Sequence, residues 1–414
     1  MAEGATGMSV GVNLIALAAC LSWPVLELWR QLAAWRALRA MPRSTSPAHA
    51  DDAQRFAHVD ALQPIRSGDP SLSEALGASL RTLGGRGARL HWLIDEDDTA
   101  AASAVRAALR MQPALAAQVA VSVHPPCLQG VNPKLFKLDR ALAQCRGDVV
   151  LVLDDDARLP AATLEALTTA LGDGDGPPVI TTALPIYLPA RGAGARLLAR
   201  FVNDSAAVTY LPPRLGARTP TINGMCWAMR RDALQAIDGF APRLRHLTDD
   251  LAMARAVLAA GGCIEQRSEP VWLRTDLPDV VAYVRQMHRW MLFALLLVRS
   301  EPWPSRLRIA FGQGLPTCAP WLSLLAFALL PTWPGAVALS AGLLLHVVGR
   351  RALQRACAGA AAAMQPLTSL LVALLLPLHL AQALVDRRIR WRAHRYRVHA
   401  NDRFEDIDPA GKIG

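Results

Sequence analysis

The stretch Val149–Asp156, which reads Val-Val-Leu-Val-Leu-Asp-Asp-Asp, decides the fold of this chain. Five apolar residues, three of them valines, predict a buried β-strand, and the chain then changes at once to three carboxylates. Adjacent anions repel one another and burial raises their pKa values, so the cluster needs a neutralising group. Asp154 and Asp156 lie two residues apart and can reach the same side of an extended segment, where their hard oxygen atoms suit Mg²⁺ or Mn²⁺ beside a diphosphate.

Two other interpretations of the acidic cluster stay open. The three carboxylates can form a solvated turn that binds nothing. A calcium loop of the EF-hand type is also conceivable, because Glu165 stands where the last ligand of such a loop would be. Arg158 and Leu159 occupy a ligand position and the glycine position of that loop, and a strand precedes it, which argues against calcium.

Around this strand, short apolar runs alternate with helical patterns from residue 59 to residue 286, which predicts an α/β domain with a parallel or mixed sheet and crossover helices. Asp69 followed by Pro70 predicts the start of the first of these helices. Ligands of such sheets bind at the carboxyl ends of the strands, so we expect the acidic residues after the second strand to face the same crevice as Asp154. The predicted strands are Val59–Ile65, Leu90–Ile94, Val119–Val123, Val149–Leu153 and Val179–Thr182, and the acidic residues after the second are Asp95, Asp97 and Asp98.

A second acidic pair, Asp249 and Asp250, follows Thr248 and opens the helical pattern of residues 251–258. One interpretation is structural: Thr248 or Asp249 is an N-cap, and the carboxylates complement the helix dipole. The functional interpretation is that Asp250 accepts a proton from an acceptor hydroxyl as a general base.

The third motif consists of Gln286, Arg289 and Trp290, which share a helix face. Ahead of an apolar segment, such residues often anchor a helix at the membrane interface. Alternatively, they stack on and hydrogen-bond a substrate, and Arg289 offsets the charge of a leaving phosphate.

The composition indicates an enzyme joined to membrane segments. The chain has 414 residues, 52% of them hydrophobic, and a net charge of +10. No basic stripe with interleaved aromatic residues lies in the predicted globular part, so we expect no nucleic-acid partner. The seven cysteines lack ligand spacing, which argues against zinc. The basic residues beside apolar stretches are interpreted as cytoplasmic flanks that face anionic lipid; they are Arg30, Arg36, Arg39, Arg43, Arg350, Arg351, Arg355 and the arginines of 387–397.

Three apolar regions predict transmembrane helices at both ends of the chain. The stretch Met8–Leu26 predicts an uncleaved anchor with its N-terminus outside. Residues 309–349 carry no Lys, Arg, Asp or Glu and have room for two spans that turn at Pro331–Pro334. The run Ala356–Val385 contains Pro366 and Pro377 and predicts one kinked span or a re-entrant pair. The charge rule places the following arginines in the cytoplasm, so we expect one C-terminal segment not to cross fully.

The predicted organisation is therefore a transmembrane anchor at 1–30, a linker at 31–54, a cytoplasmic catalytic domain at 55–300, a membrane region at 301–386 and a basic cytoplasmic tail at 387–414.

The order of these motifs resembles the family-2 type inverting glycosyltransferases, and within them the ceramide glucosyltransferase branch with its bacterial hopanoid-associated lipid glycosyltransferases. The resemblance extends from Val59 to the Gln-x-x-Arg-Trp motif and is weaker in the tail. Local matches are Gln63–Pro70, Gly130–Lys134, Gly224–Cys226, Arg230–Ala233 and the ending Ile389–Arg397. The resemblance implies a nucleotide-sugar-binding GT-A-like fold.

The resemblance also implies roles for individual residues. Asp97 or Asp98 would contact the nucleotide, and Lys134 would lie near the donor phosphates. Asp154 and Asp156 would hold Mg²⁺ or Mn²⁺ and the diphosphate, and Asp250 would be the base, with Asp249 in the substrate site. Gln286, Arg289 and Trp290 would bind the acceptor end or the departing diphosphate. Asp155 departs from the family pattern, where a small residue is common.

The activity implied is transfer of a hexose or N-acetylhexosamine from a nucleotide sugar, UDP-linked, to a lipid hydroxyl at a bacterial-type inner membrane that the chain crosses several times. Two alternatives stay open. A processive polysaccharide synthase of the same superfamily would extrude a polymer, which the few C-terminal spans disfavour. A non-catalytic scaffold or transporter is disfavoured because no charged residue lies within a predicted span.

Overall fold

The computed structural model describes residues 2–41, 56–172, 176–189, 191–216, 219–359, 365–391 and 394–407. Among these residues, eight strands form one sheet in the order β3-β2-β1-β4-β7-β6-β8-β5. The strands are β1 Val59–Pro64, β2 Arg89–Asp95, β3 Val119–His124, β4 Val149–Leu153, β5 Ala157–Arg158, β6 Val179–Tyr187, β7 Cys226–Arg230 and β8 Cys263–Leu273. Strand β4 pairs in parallel with β1 and antiparallel with β7, so the sheet is mixed, as predicted.

Helices cover both faces of this sheet because its strands are apolar on both sides. Val149, Leu151 and Leu153 point to one hydrophobic cluster, and Val150 and Val152 point to the other. The first cluster includes residues of α2 (Leu72–Thr82), α3 (Thr99–Met111), α5 (Ala161–Thr169) and α6 (Ala193–Tyr210). The second includes residues of α4 (Pro133–Leu142), α7 (Arg231–Ala236) and α8 (Asp249–Ala259).

The five predicted strands are all present, with ends that differ by up to five residues. The predicted helix start at Asp69 is wrong. Helix α2 begins at Leu72 with Ser71 at the N-cap position. The Asp69 carboxylate instead accepts hydrogen bonds from the amide and the hydroxyl of Ser71, both at 2.7 Å, and so closes a turn before the helix.

The N-terminal helix α1 (Ala2–Ala40) is longer than the predicted anchor. Residues 31–40, predicted as the start of a linker, continue this helix. Ala34 and Ala37 are fully buried and belong to the core cluster of the α/β domain, so apolar packing rather than a flexible connection joins the two parts. The remainder of the predicted linker, residues 42–54, lies outside the described residues.

The C-terminal helices follow α9 (Val280–Ser300). They are α10 (Trp303–Ile309), α11 (Leu315–Leu329), α12 (Trp333–Leu344), α13 (Arg350–Ala358) and α14 (Pro366–Val385), and π-helical turns link α10 to α11 and α12 to α13. By length and composition alone, two helices of the described residues could cross a membrane: Trp333–Ala358 and Pro366–Val385, with mean hydropathies of 1.4 and 1.9. The turn predicted at Pro331–Pro334 separates α11 from α12, and α14 is a single helix that includes Pro377.

Two arginines predicted to face lipid headgroups are buried instead. The Arg350 guanidinium donates two hydrogen bonds of 2.6 Å to the Glu27 carboxylate, and both side chains are less than a tenth exposed. Arg30 donates to the Gln313 amide oxygen at 2.7 Å. The prediction fails here because a charge beside an apolar run can pair across a helix interface, which its sequence position does not reveal.

The basic tail forms a small antiparallel sheet of β9 (Arg388–Trp391), β10 (His394–Ala400) and β11 (Arg403–Asp406). Ile389 and Val398 pack with Leu251 of α8 and Leu292 of α9 in one buried cluster. The tail is therefore attached to the α/β domain rather than lying on a lipid surface by itself. Residues 392–393 and 408–414 of the tail lie outside the described residues.

Candidate active site

Lys134 lies where three segments of the α/β domain meet. Its ammonium group is 2.7 Å from a carboxylate oxygen of Asp154, after β4, and 2.8 Å from one of Asp249, at the start of α8. It also donates to the carbonyl of Gly224 at 3.0 Å. Two acidic motifs that are 95 residues apart in the chain therefore share one cation, which the sequence analysis did not foresee.

The position of Lys134 follows from the start of helix α4. Asn132 is its N-cap, and the Asn132 side-chain oxygen accepts hydrogen bonds from the amides of Lys134 and Leu135. The side-chain amide of Asn132 also donates to the carbonyls of His246 and Leu247, at 3.0 and 3.2 Å. One buried asparagine thus joins the lysine helix to the segment that leads into the second acidic pair.

Asp154 and Asp156 lie at the end of β4, as predicted. Desolvation raises the pKa of Asp154, although Lys134 opposes the rise, and repulsion by Asp249 adds to it. Desolvation followed by repulsion from Asp155 and Asp154 raises the pKa of Asp156 to about 8. The hydroxyl of Thr275, after β8, donates to Asp156 at 2.7 Å.

This set of oxygen atoms fits a divalent cation. Several carboxylates crowd one partly desolvated place, and the ammonium group of Lys134 already occupies a position between two of them. Desolvation first and repulsion between carboxylates second raise the pKa values of Asp154 and Asp156, and a hard dication would relieve both costs. Asp154 and Asp156 are the residues that would hold it, since their side chains end the same strand.

Asp250 lies against the backbone of Gly224. A Cβ at residue 224 would be 3.0 Å from the Cβ of Asp250, so any other residue there would press on Asp250. Desolvation and the neighbouring Asp249 raise the pKa of Asp250 to about 7. Burial, together with the charge of Asp250, raises the pKa of Tyr210 to about 12, so the end of α6 faces the same crevice. A carboxylate in this setting can accept a proton near neutral pH.

The acidic residues after β2 divide into different roles. Asp98 is the N-cap of α3, where it accepts from the amide of Ala101, and its other oxygen accepts from the amide of Ser67. The side chain of Asp97 is exposed. Asp95 instead pairs at 3.0 Å with Lys137, which is only 1% exposed. Sequence analysis missed Lys137, although its place one helical turn after Lys134 was a usable signal.

The Gln-x-x-Arg-Trp motif lies on α9. Arg289 donates to the side-chain oxygen of Gln286 at 2.7 Å. Its charge, like that of Lys134, opposes the rise in the pKa of Asp154, so Arg289 faces the acidic crevice. Trp290 packs against Phe201 of α6, with ring centroids 6.2 Å apart. A pocket of about 250 Å³ opens beside this motif, and Ala282, Arg285, Gln286, Arg289 and Arg390 line it.

Of the predicted residues, the structure brings together Lys134, Asp154, Asp156, Asp249 and Asp250, with Arg289 facing them. It does not bring the Asp97 side chain into a described contact with this group. Thr275, Tyr187, Asn132 and Asn401 contact the site or its supporting segment and were missed, because isolated polar residues give no periodic or clustered signal.

The mixed α/β sheet thus carries one acidic motif at the end of β4 and a second at the start of α8, and Lys134 joins them. Residues 14–404 match the model of glycosyl transferase family 21, and the chain belongs to this family. A search of curated proteins found no match.

The chain is also similar to solved structures. One is a mannosyltransferase from Pyrobaculum calidifontis in complex with GDP-Man and Mn²⁺, with 17% identity and a TM-score of 0.52 over 88% of this chain and 99% of that chain, and this similarity shows a shared fold alone. A weaker similarity is to S. aureus TarS in complex with UDP-GlcNAc, with 11% identity and a TM-score of 0.36 over 84% and 99% of the two chains.

Proposed function

We propose that the protein is a membrane-bound, inverting, metal-dependent glycosyltransferase that moves a hexose or N-acetylhexosamine from a nucleotide sugar to a lipid hydroxyl. One observation carries the proposal: Lys134 lies 2.7 Å from Asp154 and 2.8 Å from Asp249, and Asp250 lies beside them in the crevice. A cation that bridges two acidic motifs, next to a carboxylate with a raised pKa, suits the transfer of a group away from a diphosphate.

The donor is a nucleoside diphosphate sugar, with UDP as the nucleotide that the motif resemblance favours. Asp154 and Asp156 would hold Mg²⁺ or Mn²⁺, which when bound would supply positive charge to the departing diphosphate. Binding of Mn²⁺ and GDP-Man by a mannosyltransferase of the same fold supports this assignment. Lys134 and Arg289 contribute positive charge on the protein side, and Asp97 or Asp98 contacts the nucleotide.

The reaction is a single displacement at the anomeric carbon. Asp250 accepts the proton of the acceptor hydroxyl, whose oxygen forms the new bond to carbon from the face opposite the diphosphate. The bond from carbon to the phosphate oxygen breaks, and the nucleoside diphosphate leaves with its electron pair. Attack from the opposite face inverts the anomeric centre. Gln286, Arg289 and Trp290 orient the acceptor end or the departing diphosphate.

The acceptor is a lipid, because apolar helices adjoin the crevice. Helix α9 carries Gln286 and Arg289 and leads directly into α10 and the C-terminal helices. We assign α1, α10–α11 and α12–α13 to three crossings of a bacterial-type inner membrane, with the catalytic domain in the cytoplasm. Helix α14 contacts α9, α6 and α11, and our proposal is that it does not cross the membrane fully, because this keeps the tail sheet with the catalytic domain.

The proposal predicts a defined product. Membranes that contain the protein are incubated with a panel of UDP-sugars and GDP-mannose, with Mn²⁺, Mg²⁺ or EDTA, and extracted lipids are analysed by mass spectrometry. We expect one sugar per lipid, and no transfer in EDTA. A polymer would indicate the processive synthase instead, and no product with any donor would contradict the proposal.

A matched pair of variants tests whether transfer depends on a carboxylate in the crevice rather than on any carboxylate of the same strand. Asp154 and Asp148 flank the same strand, Asp154 at its carboxyl end in the crevice and Asp148 exposed at the other end. Asp154→Asn should abolish transfer, whereas Asp148→Asn should retain it. Equal activities of the two variants would favour a non-catalytic scaffold.

A further inference from the structure

Asn401 joins the C-terminal sheet to the segment that leads into Asp249 and Asp250. Asn401 follows β10 and begins the short turn to β11. Its side-chain oxygen accepts hydrogen bonds from the amide and from the hydroxyl of Thr248, both at 2.7 Å. Its side-chain amide donates to the Thr248 carbonyl at 3.2 Å, and its own carbonyl accepts from the amide of Leu247 at 2.7 Å. Four hydrogen bonds therefore hold the two residues before Asp249.

The hydroxyl of Thr248, at the start of α8, bonds a distant residue instead of the helix. It is the N-cap of α8, yet its hydroxyl makes no capping hydrogen bond with the helix. The hydroxyl donates to Asn401 instead, and Thr248 is only 4% exposed. The contact thus replaces the usual local cap with a bond from a residue 153 positions away.

The segment before the acidic pair is held from two sides. Asn132, whose helix carries Lys134, donates to the carbonyls of His246 and Leu247. Asn401 holds Leu247 and Thr248 from the side of the tail sheet. Because Asp250 follows two residues later, the position of its carboxylate depends on this clamp.

The tail sheet can act as a rigid support because it is packed rather than loosely attached. Val398 of β10 and Ile389 of β9 are 1% and 4% exposed and share a cluster with Leu247 and Leu251. Arg390 of β9 also lines the pocket beside Gln286 and Arg289. The sheet therefore contacts both the segment of the base and the motif of α9.

We propose that Asn401 is a positioning residue for the general base Asp250, and that the C-terminal sheet is part of the active site. This inference rests on the proposed function. The amide side chain supplies an acceptor for Thr248 N–H and O–H and a donor for its carbonyl at the same time. Loss of the amide frees the first turn of α8, and displacement of a catalytic group by about 1 Å costs up to about 100-fold in rate.

The test compares Asn401→Ala and Asn401→Asp with Asp402→Ala, an exposed neighbour in the same turn, in the full chain in membranes. We expect kcat to fall about 10-fold to 100-fold for both Asn401 variants, with the donor KM changed less than about twofold. Asp402→Ala should retain the wild-type kcat. Asn401→Asp keeps the shape but turns the donor into an acceptor that faces the Thr248 carbonyl, so it should not rescue the rate.

A second variant distinguishes a loss of positioning from misfolding of the protein. Thr248→Val removes only the hydroxyl bond and should give a smaller loss of kcat, and its effect should disappear in the Asn401→Ala background. An Asn401→Ala protein with unchanged kcat but a lower melting temperature would overturn the inference, as would an equal loss of kcat in Asp402→Ala. Failure of the proposed function has a different signature, namely no sugar transfer by the wild type or full transfer by Asp250→Asn.

Discussion

Replacement of Asp250 by asparagine should stop transfer and at the same time stabilise the protein. Burial and the charge of Asp249 raise the pKa of Asp250 from 3.8 to about 7, so the folded state favours the protonated carboxyl. Ionisation of this group therefore costs folding free energy. The asparagine amide has the same shape and carries no charge, so it removes that cost.

The size of the effect follows from the pKa. A rise from 3.8 to about 7 corresponds to about 4 kcal/mol as an upper limit, at 1.36 kcal/mol per pKa unit. The side chain is partly exposed in an open crevice, so solvent screening reduces the expected gain to about 2 kcal/mol. For a chain of 414 residues, such a gain raises the melting temperature by about 2 °C. Loss of a general base should lower kcat by about 100-fold to 10,000-fold.

The raised pKa of Asp250 predicts the direction in which stability changes with pH. Because the folded pKa lies above the unfolded one, the stability contribution of the protonated carboxyl is complete near pH 4 and is lost as the pH rises through about 7. The difference in melting temperature between Asp250→Asn and the wild type should therefore grow from pH 5 to pH 8. In wild-type assays, kcat/KM should fall as the pH drops below about 7, as the base becomes protonated.

The assay is thermal unfolding of the detergent-purified protein by intrinsic fluorescence, paired with sugar transfer at each pH. The structural alternative predicts the opposite sign. If Asp250 only complements the dipole of α8, its replacement lowers stability by about 0.3 to 1 kcal/mol. A lower melting temperature for Asp250→Asn at pH 8 would refute the reasoning about a strained catalytic carboxylate.

Three further predictions concern the charged side chains Lys134, Asp156 and Arg350. Lys134→Met removes the ammonium group between two carboxylates; it should lower the unfolding free energy by about 2 kcal/mol without metal, and Mn²⁺ should restore part of the loss in thermal unfolding. A loss that Mn²⁺ leaves unchanged would contradict the shared site. Asp156→Asn should abolish both the Mn²⁺-induced thermal shift and transfer, and a wild-type shift in this variant would place the metal elsewhere. Arg350→Met strands the buried Glu27 carboxylate and should cost about 3 kcal/mol, part of which Glu27→Leu in the same chain restores. Equal stability of the single and double variants would show that the pair is not coupled.

Local sequence patterns predicted five of the eight strands of the main sheet and missed β5, β7 and β8. Strand β4 was predicted with its observed bounds because a short apolar run rich in valine is typical of a strand covered on both faces. Asp154, Asp156 and Asp250 were predicted to line one crevice, the first two because ligands bind at the carboxyl ends of strands, and their roles stay predictions. The helix start at Asp69 was wrong because the Asp69 carboxylate bonds the amide and the hydroxyl of Ser71 in a turn, and the helix begins only at Leu72.

Contacts between distant segments could not be read from the sequence. Arg350 was interpreted as a lipid-facing flank, but it pairs with Glu27, 323 residues away. The tail was predicted only as a basic segment, but its sheet packs on α8 and α9 and places Asn401 against Thr248. In both cases the charge or amide was visible and its partner was not.

The sequence by itself determined which segments are buried and which residue types stand at strand ends, because both depend on the period of apolar residues along a few turns or strands. Only the tertiary structure decided which partner each polar side chain finds. Lys134 bridges Asp154 and Asp249, and Asn401 holds Thr248, because the path of the whole chain brings these residues within hydrogen-bond distance. The spacing of apolar residues along the chain gives no information on such distances, so the contacts of Lys134 and Asn401 are seen only in the folded protein.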